Sequence, residues 1–152
     1  MTDRELRQLT KKLSKKHFQK PFHHTVKFNN RLRTTGGRYI PVTKTIEINP
    51  KYLQEMGLTE TIGIIKHELC HYHLHITGKA FQENDLEFIN LLKKTNSPAY
   101  CRPLPSSLKR YIYQCSHCNL IYKRKRRVNV KKYKCGNCFK EIQFVEIIYV
   151  DQ

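Results

Sequence analysis

The hydrophobic positions between residues 62 and 76 recur at the spacing of an α-helix and predict one long amphipathic helix in the middle of the chain. Its apolar stripe consists of Ile62, Ile65, Leu69, Tyr72 and Ile76. Thr59 is placed to cap the start of this helix, and Gly78 to end it. We expect the stripe to face a core and the polar side to face a cleft.

The N-terminal segment has the pattern of a second amphipathic helix. Thr2 and Glu5 form a capping box, and the helix is expected to end before Pro21. Its apolar positions are Leu6, Leu9 and Leu13, and its basic ones are Arg7, Lys11, Lys12, Lys15 and Lys16. The leucines predict a packing helix with a solvated basic side, and contact with a polyanion is the alternative for that side.

Two shorter helices are predicted from their capping residues. Asn49, followed by a proline, starts a helix that ends at Gly57. A second helix is expected over 84–94, with Asn84 and Glu87 as its capping pair. Its apolar stripe consists of Phe88, Leu91 and Leu92.

Short β-strands are predicted before the central helix. Residues 24–28 alternate weakly, and 31–39 contains Gly36-Gly37, so we expect a strand, a glycine turn and a second strand. Residues 45–48 form a further short strand.

Composition and charge narrow the functional classes. The chain has 152 residues, enough for one moderate core and a small satellite module. Its formal net charge of +17 predicts attraction to a polyanion, first of all nucleic acid, and a merely solvated basic surface is the alternative. No signal peptide or membrane span is apparent, so we expect a cytoplasmic protein. In a reducing compartment its six cysteines are expected to be metal ligands or free thiols rather than disulfides. We also expect a monomer.

The central helix carries the string His67-Glu68-Leu69-Cys70-His71. Two histidines four residues apart lie one turn apart on one helix face, so both imidazoles can hold one zinc ion. Glu68 lies on the flank of that face, as the candidate general base that takes a proton from water. Gly63, one turn earlier, is expected to keep the cleft open. A chance match on an ordinary helix is the alternative.

Two Cys-x-x-Cys pairs in the last third of the chain predict a second zinc site. They are Cys115, Cys118, Cys135 and Cys138, and their spacing is that of four-cysteine zinc modules. The flanking segments 111–114, 120–122 and 142–149 favour strands, so the module is expected to be a zinc ribbon held together by its metal. A redox pair or coincidence is the alternative.

A basic loop lies between the two cysteine pairs. Its candidate nucleic-acid-binding residues are Lys123, Arg124, Lys125, Arg126, Arg127, Lys131 and Lys132. Such a loop can neutralise phosphates without reading sequence, while Tyr122 and Tyr133 can stack on unpaired bases or belong to the module's core. A solvated loop is the alternative.

These motifs together resemble the SprT-like family of zinc metalloprotease-like proteins. The resemblance rests on residues 30–39, 46–50, 67–71 and 122–129 and covers nearly the whole chain. It implies that His67 and His71 are zinc ligands, that Glu68 is the catalytic acidic residue, and that the protein is cytoplasmic. Relatives in the Spartan branch are proteases that digest proteins crosslinked to DNA, and a similar activity here is an expectation by analogy.

The chain departs from the family pattern at two positions. Members commonly supply a third histidine ligand after the helix, and Glu83 is the residue that aligns there, with Asp85 as the second choice. Two histidines and a glutamate form a known catalytic zinc set, and a solvated carboxylate is the alternative role for Glu83. Phe139 stands where the ribbon often has a small residue, which predicts a tighter or differently shaped turn.

Taken together, the sequence predicts an α+β protein: a small zincin-like metalloprotease core over 1–97, a linker over 98–108 and a β zinc ribbon over 109–152. We expect two zinc ions, one catalytic and one structural. The first functional hypothesis is a zinc peptidase acting on proteins at or near DNA. The second is a zinc-stabilised nucleic-acid-binding module with little or no peptidase activity.

Overall fold

The computed structural model describes residues 1–150 and divides the chain into two compact units, Met1–Arg102 and Pro103–Gln152. The division falls inside the segment predicted as a linker. Residues 98–102 belong to the first unit, where the Arg102 side chain pairs with Glu60 at 2.9 Å. The described residues contain no helix with the length and apolar character needed to cross a lipid bilayer.

The first unit contains three helices and a small sheet. In chain order they are α1 (Asp3–Phe18), β1 (Thr25–Phe28), β2 (Gly37–Ile40), β3 (Thr45–Ile48), α2 (Pro50–Ile76) and α3 (Leu86–Lys94). The strands follow the order β1-β3-β2, with β1 parallel and β2 antiparallel to β3. Strand β2 is therefore an edge strand.

The predicted glycine turn joining two paired strands is wrong, because Gly37 already belongs to β2 and β1 pairs with β3 rather than with β2. A Cβ atom on Gly36 would lie 2.8 Å from Ile64 Cδ1, and one on Gly37 would lie 2.9 Å from Ile64 Cγ2. The chain instead turns between β2 and β3, where Lys44 adopts a φ of 51°. The absence of side chains at the two glycines lets β2 approach α2 directly.

Helix α1 begins with the predicted capping box, in which Thr2 and Glu5 bond each other's backbone N–H groups. Its inward face buries Leu6, Thr10, Leu13, Ser14 and Phe18. The Ser14 hydroxyl lies 2.7 Å from His73 Nε2 and ties α1 to α2. Of the three leucines predicted to pack, Leu6 and Leu13 are buried as predicted, whereas Leu9 is half-buried.

Helix α2 starts at the predicted Asn49 cap and is kinked at Gly57, whose φ is 83°. The helix resumes immediately after Gly57, so Thr59 lies inside it and does not cap it. Gly78 ends the helix with a φ of 71° and donates its N–H to the His75 carbonyl. Such a left-handed residue satisfies carbonyls that have no partner within the helix.

The predicted apolar stripe of α2 is only partly correct. Ile65, Leu69 and Tyr72 are buried, whereas Ile62 is half-buried and Ile76 is 42% exposed. Ile64, Cys70 and Leu74 are also buried, because α1, α3 and the sheet contact α2 on several sides. A helix covered on several sides does not show one clean apolar stripe.

Helix α3 begins two residues later than predicted, with Asp85 at its N-cap. The expected pairing of Asn84 with Glu87 is wrong, because the Glu87 carboxylate accepts from the Ala80 N–H at 2.9 Å. Phe88 and Leu92 are buried as predicted, and Leu91 is half-buried.

The second unit is a small β module. It contains α4 (Pro105–Leu108), β4 (Lys109–Cys115), β5 (Ile121–Arg124) and β6 (Ile142–Tyr149). The strands form an antiparallel sheet in the order β5-β4-β6, and the buried side chains of Cys115, Cys135 and Ile142 form a small cluster. The predicted α+β class with a C-terminal ribbon is confirmed.

Candidate metal centres

The two histidines of α2 are oriented by backbone carbonyls. His67 Nδ1 donates to the Pro98 carbonyl at 2.9 Å, and His71 Nδ1 donates to the Phe81 carbonyl. A carbonyl oxygen only accepts, so each Nδ1 carries the proton and each Nε2 keeps a free lone pair. This is the arrangement of metal-ligating histidines, whose second nitrogen is held by a hydrogen bond.

The structure brings Glu83, and not Asp85, to the histidine pair. Ligand atoms of His67, His71 and Glu83 all lie within 4.8 Å of one another, with Glu83 Oε1 3.9 Å from His67 Nε2. The Asp85 carboxylate instead accepts from the Gln82 N–H at 2.7 Å. Two imidazoles and a carboxylate are a ligand set that suits zinc. The Glu83 side chain is 64% exposed, so these three ligands remain accessible from solvent.

Glu68 is buried beside this group. It lines a cleft of about 190 Å³ together with His67, Glu83 and Gly37. Burial, followed by the charge of Glu83, raises the pKa of the Glu68 carboxyl to about 8. A divalent cation at the histidine pair would favour the ionised form and oppose this shift.

Aromatic packing supports the histidine rings. Phe88 of α3 is buried and stacks on the His71 ring with centroids 4.1 Å apart, and it meets the His67 ring edge-on at 5.3 Å. The neighbouring histidines of α2 are engaged elsewhere, since His75 Nδ1 lies 2.7 Å from the Tyr39 hydroxyl. Of the histidines of α2, only His67 and His71 therefore belong to the group that could hold a metal ion.

Gly63 does not keep the cleft open, contrary to the sequence-based expectation. A Cβ atom there would lie 3.0 Å from Pro98 Cγ. The absence of a side chain at Gly63 therefore leaves room for the segment that carries the Pro98 carbonyl. The residue therefore contributes to the orientation of His67 through its contact with Pro98.

The four cysteines of the second unit form one cluster. Their Sγ atoms lie within 4.8 Å of one another, with Cys115 and Cys138 at 3.4 Å and Cys118 and Cys135 at 3.6 Å. All four are free thiols in the structure. A hydrogen bond from the Tyr122 hydroxyl lowers the pKa of the Cys135 thiol to about 6, which favours the thiolate that zinc binds. The donor set fits a structural zinc ion.

The two cysteine turns of this chain have the same backbone conformation, whereas the predicted difference from the turn usual in the family stays a prediction. Asn119 and Phe139 follow the second cysteine of each pair, with φ values of 59° and 60°. Their N–H groups donate to the carbonyls of Cys115 and Cys135 at 3.2 and 2.9 Å. Phe139 therefore adopts the left-handed conformation that a glycine adopts at lower cost.

The candidate nucleic-acid-binding side chains of the basic loop are exposed. Lys123, Arg124, Lys125, Arg126, Arg127, Lys131 and Lys132 are all exposed, and none forms an ion pair within residues 1–150. The guanidinium of Arg124 lies 5.1 Å from the Tyr122 ring, and that of Arg127 lies 5.5 Å from the Tyr111 ring. Tyr133 is 53% exposed, whereas the hydroxyl of Tyr122 forms a hydrogen bond with the Cys135 thiol.

Sequence reasoning missed the groups that orient the ligands. The carbonyls of Pro98 and Phe81 carry no side-chain signal, because every residue has a carbonyl. The roles of Phe88 and Tyr122 at the two clusters depend on long-range packing. Only Tyr122 could have been suspected from the sequence, because its hydroxyl lies close to the cysteine ligands along the chain.

Two family models match the chain. One, described as the SprT-like family, matches residues 6–110, and the other, described as the SprT-like zinc ribbon domain, matches residues 109–146.

Curated relatives are similar over most of their length. A protein named "Protein SprT-like" from Oceanobacillus iheyensis is 55% identical over 139 residues, covering 90% of this chain and 93% of the relative. Proteins with the same name from a Geobacillus species and from Bacillus subtilis are 51% and 48% identical. Each alignment covers 91% of this chain, with 92% of the Geobacillus protein and 94% of the Bacillus subtilis protein. No significant match was found among solved structures.

Proposed function

The chain belongs to the SprT-like family and contains its zinc ribbon domain, and from this premise we propose that it is a zinc-dependent metallopeptidase that acts on proteins at or near DNA. The observation that carries the proposal is the orientation of His67 and His71. Both Nδ1–H groups donate hydrogen bonds to backbone carbonyls, so both Nε2 lone pairs are available to one ion. Glu83 would be the third ligand.

The neighbouring residues suit peptide hydrolysis. Zinc held by this group would polarise the scissile carbonyl and lower the pKa of water. Glu68 takes the proton from the attacking water and passes it to the leaving amine, as a general base and then a general acid. Its buried position limits the access of competing water, and a zinc ion at the histidine pair would favour the ionised carboxylate that a general base requires.

We propose that an extended peptide binds in the groove beside these residues. Strand β2 is an edge strand, and a depression next to it is lined by Arg38, Tyr39, His71 and Glu83. Unpaired backbone groups on an edge strand can bond a further strand. We propose that a substrate segment pairs with β2 and so presents one peptide bond to Glu68. Backbone pairing of this kind favours flexible or unfolded substrates over a particular sequence.

The basic loop of the ribbon is the proposed nucleic-acid contact. Its exposed cations are free to neutralise phosphates, so binding should weaken steeply with salt and show little sequence preference. Changing Arg124, Arg126 and Arg127 to Ala should lower both the affinity for DNA and the salt dependence of binding. Unchanged binding in this variant would refute the assignment of the loop.

The second candidate is a zinc-stabilised nucleic-acid-binding module with little peptidase activity. One observation favours it: the third potential ligand, Glu83, is largely exposed and belongs to a loop. Such a carboxylate would bind zinc more weakly than a buried histidine. In that case the ribbon would still bind zinc and DNA, while the histidine site would remain inactive.

A cleavage assay separates the two functions. The zinc-loaded full chain is incubated with casein, with and without single-stranded DNA, and a zinc chelator is the control. The peptidase proposal predicts cleavage that DNA stimulates and the chelator abolishes. DNA binding without any cleavage by a chain carrying two zinc ions would support the binding module instead.

A further inference from the structure

The outward side of α1 is a second strongly charged surface, distinct from the ribbon loop. Its exposed cations are Arg4, Arg7, Lys11, Lys12, Lys15 and Lys16. At 1.5 Å per residue, the helix spans about 18 Å from Arg4 to Lys16. The buried residues occupy the opposite side, so the cations form one solvent-facing ridge.

Within residues 1–150 the cations of this ridge have no acidic partner. The only acidic residues of α1 are in its first turn, and both are engaged there: Asp3 accepts from the Phe28 N–H at 2.8 Å, and Glu5 accepts from the Thr2 N–H at 2.6 Å. None of the ridge cations forms an ion pair in the described residues. The positive charge is therefore uncompensated.

The positive surface continues past the end of α1. A pocket of about 150 Å³ is lined there by His17, Lys20, Lys79 and Lys94, and no acidic side chain lines it. Partial burial, together with the charges of Lys66 and Lys16, lowers the pKa of His17. The local potential thus disfavours a further positive charge and favours an anion.

We propose that the α1 ridge and this pocket bind the phosphate backbone of nucleic acid as a second site, independent of the ribbon. Duplex DNA places one phosphate per strand every 3.4 Å along its axis, so about five phosphates per strand face a ridge of this length. An anionic membrane surface also attracts cations, but it is less suited because α1 offers no exposed apolar side to insert into it. The apolar residues of α1 face inward, with Leu6, Leu13 and Phe18 buried.

The test uses the full chain and a variant with Lys11, Lys12 and Lys15 changed to Gln. Glutamine keeps helix propensity close to that of lysine, so α1 should remain folded. The affinity for a DNA duplex is measured over a range of salt concentrations. Each lost phosphate contact lowers the slope of log affinity against log salt by about 0.9, so we expect a decrease of about 2–3 and an affinity at least about tenfold weaker.

A matched variant removes the same charge elsewhere on the first unit. Arg31, Lys44 and Lys51 are exposed and lie outside α1, and changing them to Gln should leave the slope near that of the wild type. Equal effects of the two triple variants would mean that only net charge matters, and would overturn the proposal. An unchanged slope in the α1 variant, or loss of binding to phosphatidylserine vesicles without loss of binding to DNA, would also overturn it.

The ribbon variant with Arg124, Arg126 and Arg127 changed to Ala is measured in parallel. If the α1 variant loses affinity while the ribbon variant does not, the ridge is the nucleic-acid site and the assignment of the loop fails. If only the ribbon variant loses affinity, the ridge proposal fails. Losses in both variants that multiply in the combined variant would support two independent sites.

Discussion

Replacing Gly36 with Ala should destabilise the first unit and disturb the wall of the proposed substrate cleft. The new methyl group would lie 2.8 Å from Ile64 Cδ1, 3.0 Å from Ile64 Cγ1 and 3.1 Å from Cys101 Sγ, all shorter than ordinary van der Waals contact. Forcing one methyl group into packed surroundings costs about 1–3 kcal/mol, so we expect a loss of that size in the free energy of unfolding. Gly36 also lines the cleft with His67, so the strain should lower zinc affinity there.

The assay is urea denaturation of the full chain, followed by far-ultraviolet circular dichroism. The three long helices belong to the first unit, so the helical signal reports on that unit. Ile64→Val removes Cδ1, the closest clashing atom, and alone should cost about 0.5–1.5 kcal/mol. The double variant should therefore be more stable than the sum of the two single losses predicts. A Gly36→Ala variant as stable as the wild type, or strictly additive losses, would refute the close approach of β2 to α2.

Three further predictions concern the metal centres. Glu83→Ala should lower zinc affinity at the histidine pair by at least about tenfold in a chelator competition, whereas Asp85→Ala should not; the reverse would make Asp85 the ligand. Changing Cys115 and Cys118 to Ser should remove one of two zinc ions by elemental analysis and unfold the ribbon alone, and retention of both ions would refute the ribbon site. Phe139→Gly should stabilise the zinc-loaded ribbon by about 0.5–1 kcal/mol in thermal denaturation, because it relieves a left-handed backbone; a loss of stability would contradict that reasoning.

Local signals predicted the parts of the fold that local chemistry determines. The capping box of Thr2 and Glu5, the Asn49 cap and the break at Gly57 all depend on contacts within a few residues, and the structure contains each of them. The spacing of the four cysteines predicted a cluster for a similar reason, since each pair closes one tight turn.

Features that depend on distant partners could not be read from the pattern. Gly36 and Gly37 have the composition of a hairpin turn, but their small size serves the approach of β2 to α2. The parallel pairing of β1 with β3 also has no local signature, because it is decided by the packing of whole elements. At the site, the sequence indicated His67 and His71 but not the carbonyls that orient them.

The central claim is that Glu68 performs proton transfer beside a zinc ion held by His67 and His71. The most direct measurement is the rate of casein cleavage by Glu68→Gln relative to wild type, on preparations that each carry two zinc ions and the same amount of single-stranded DNA. Removal of a general base typically costs about 10²–10⁴-fold in rate, so we expect a loss of that size with zinc content unchanged. Equal rates in the two proteins, or no cleavage by the zinc-loaded wild type, would contradict the account.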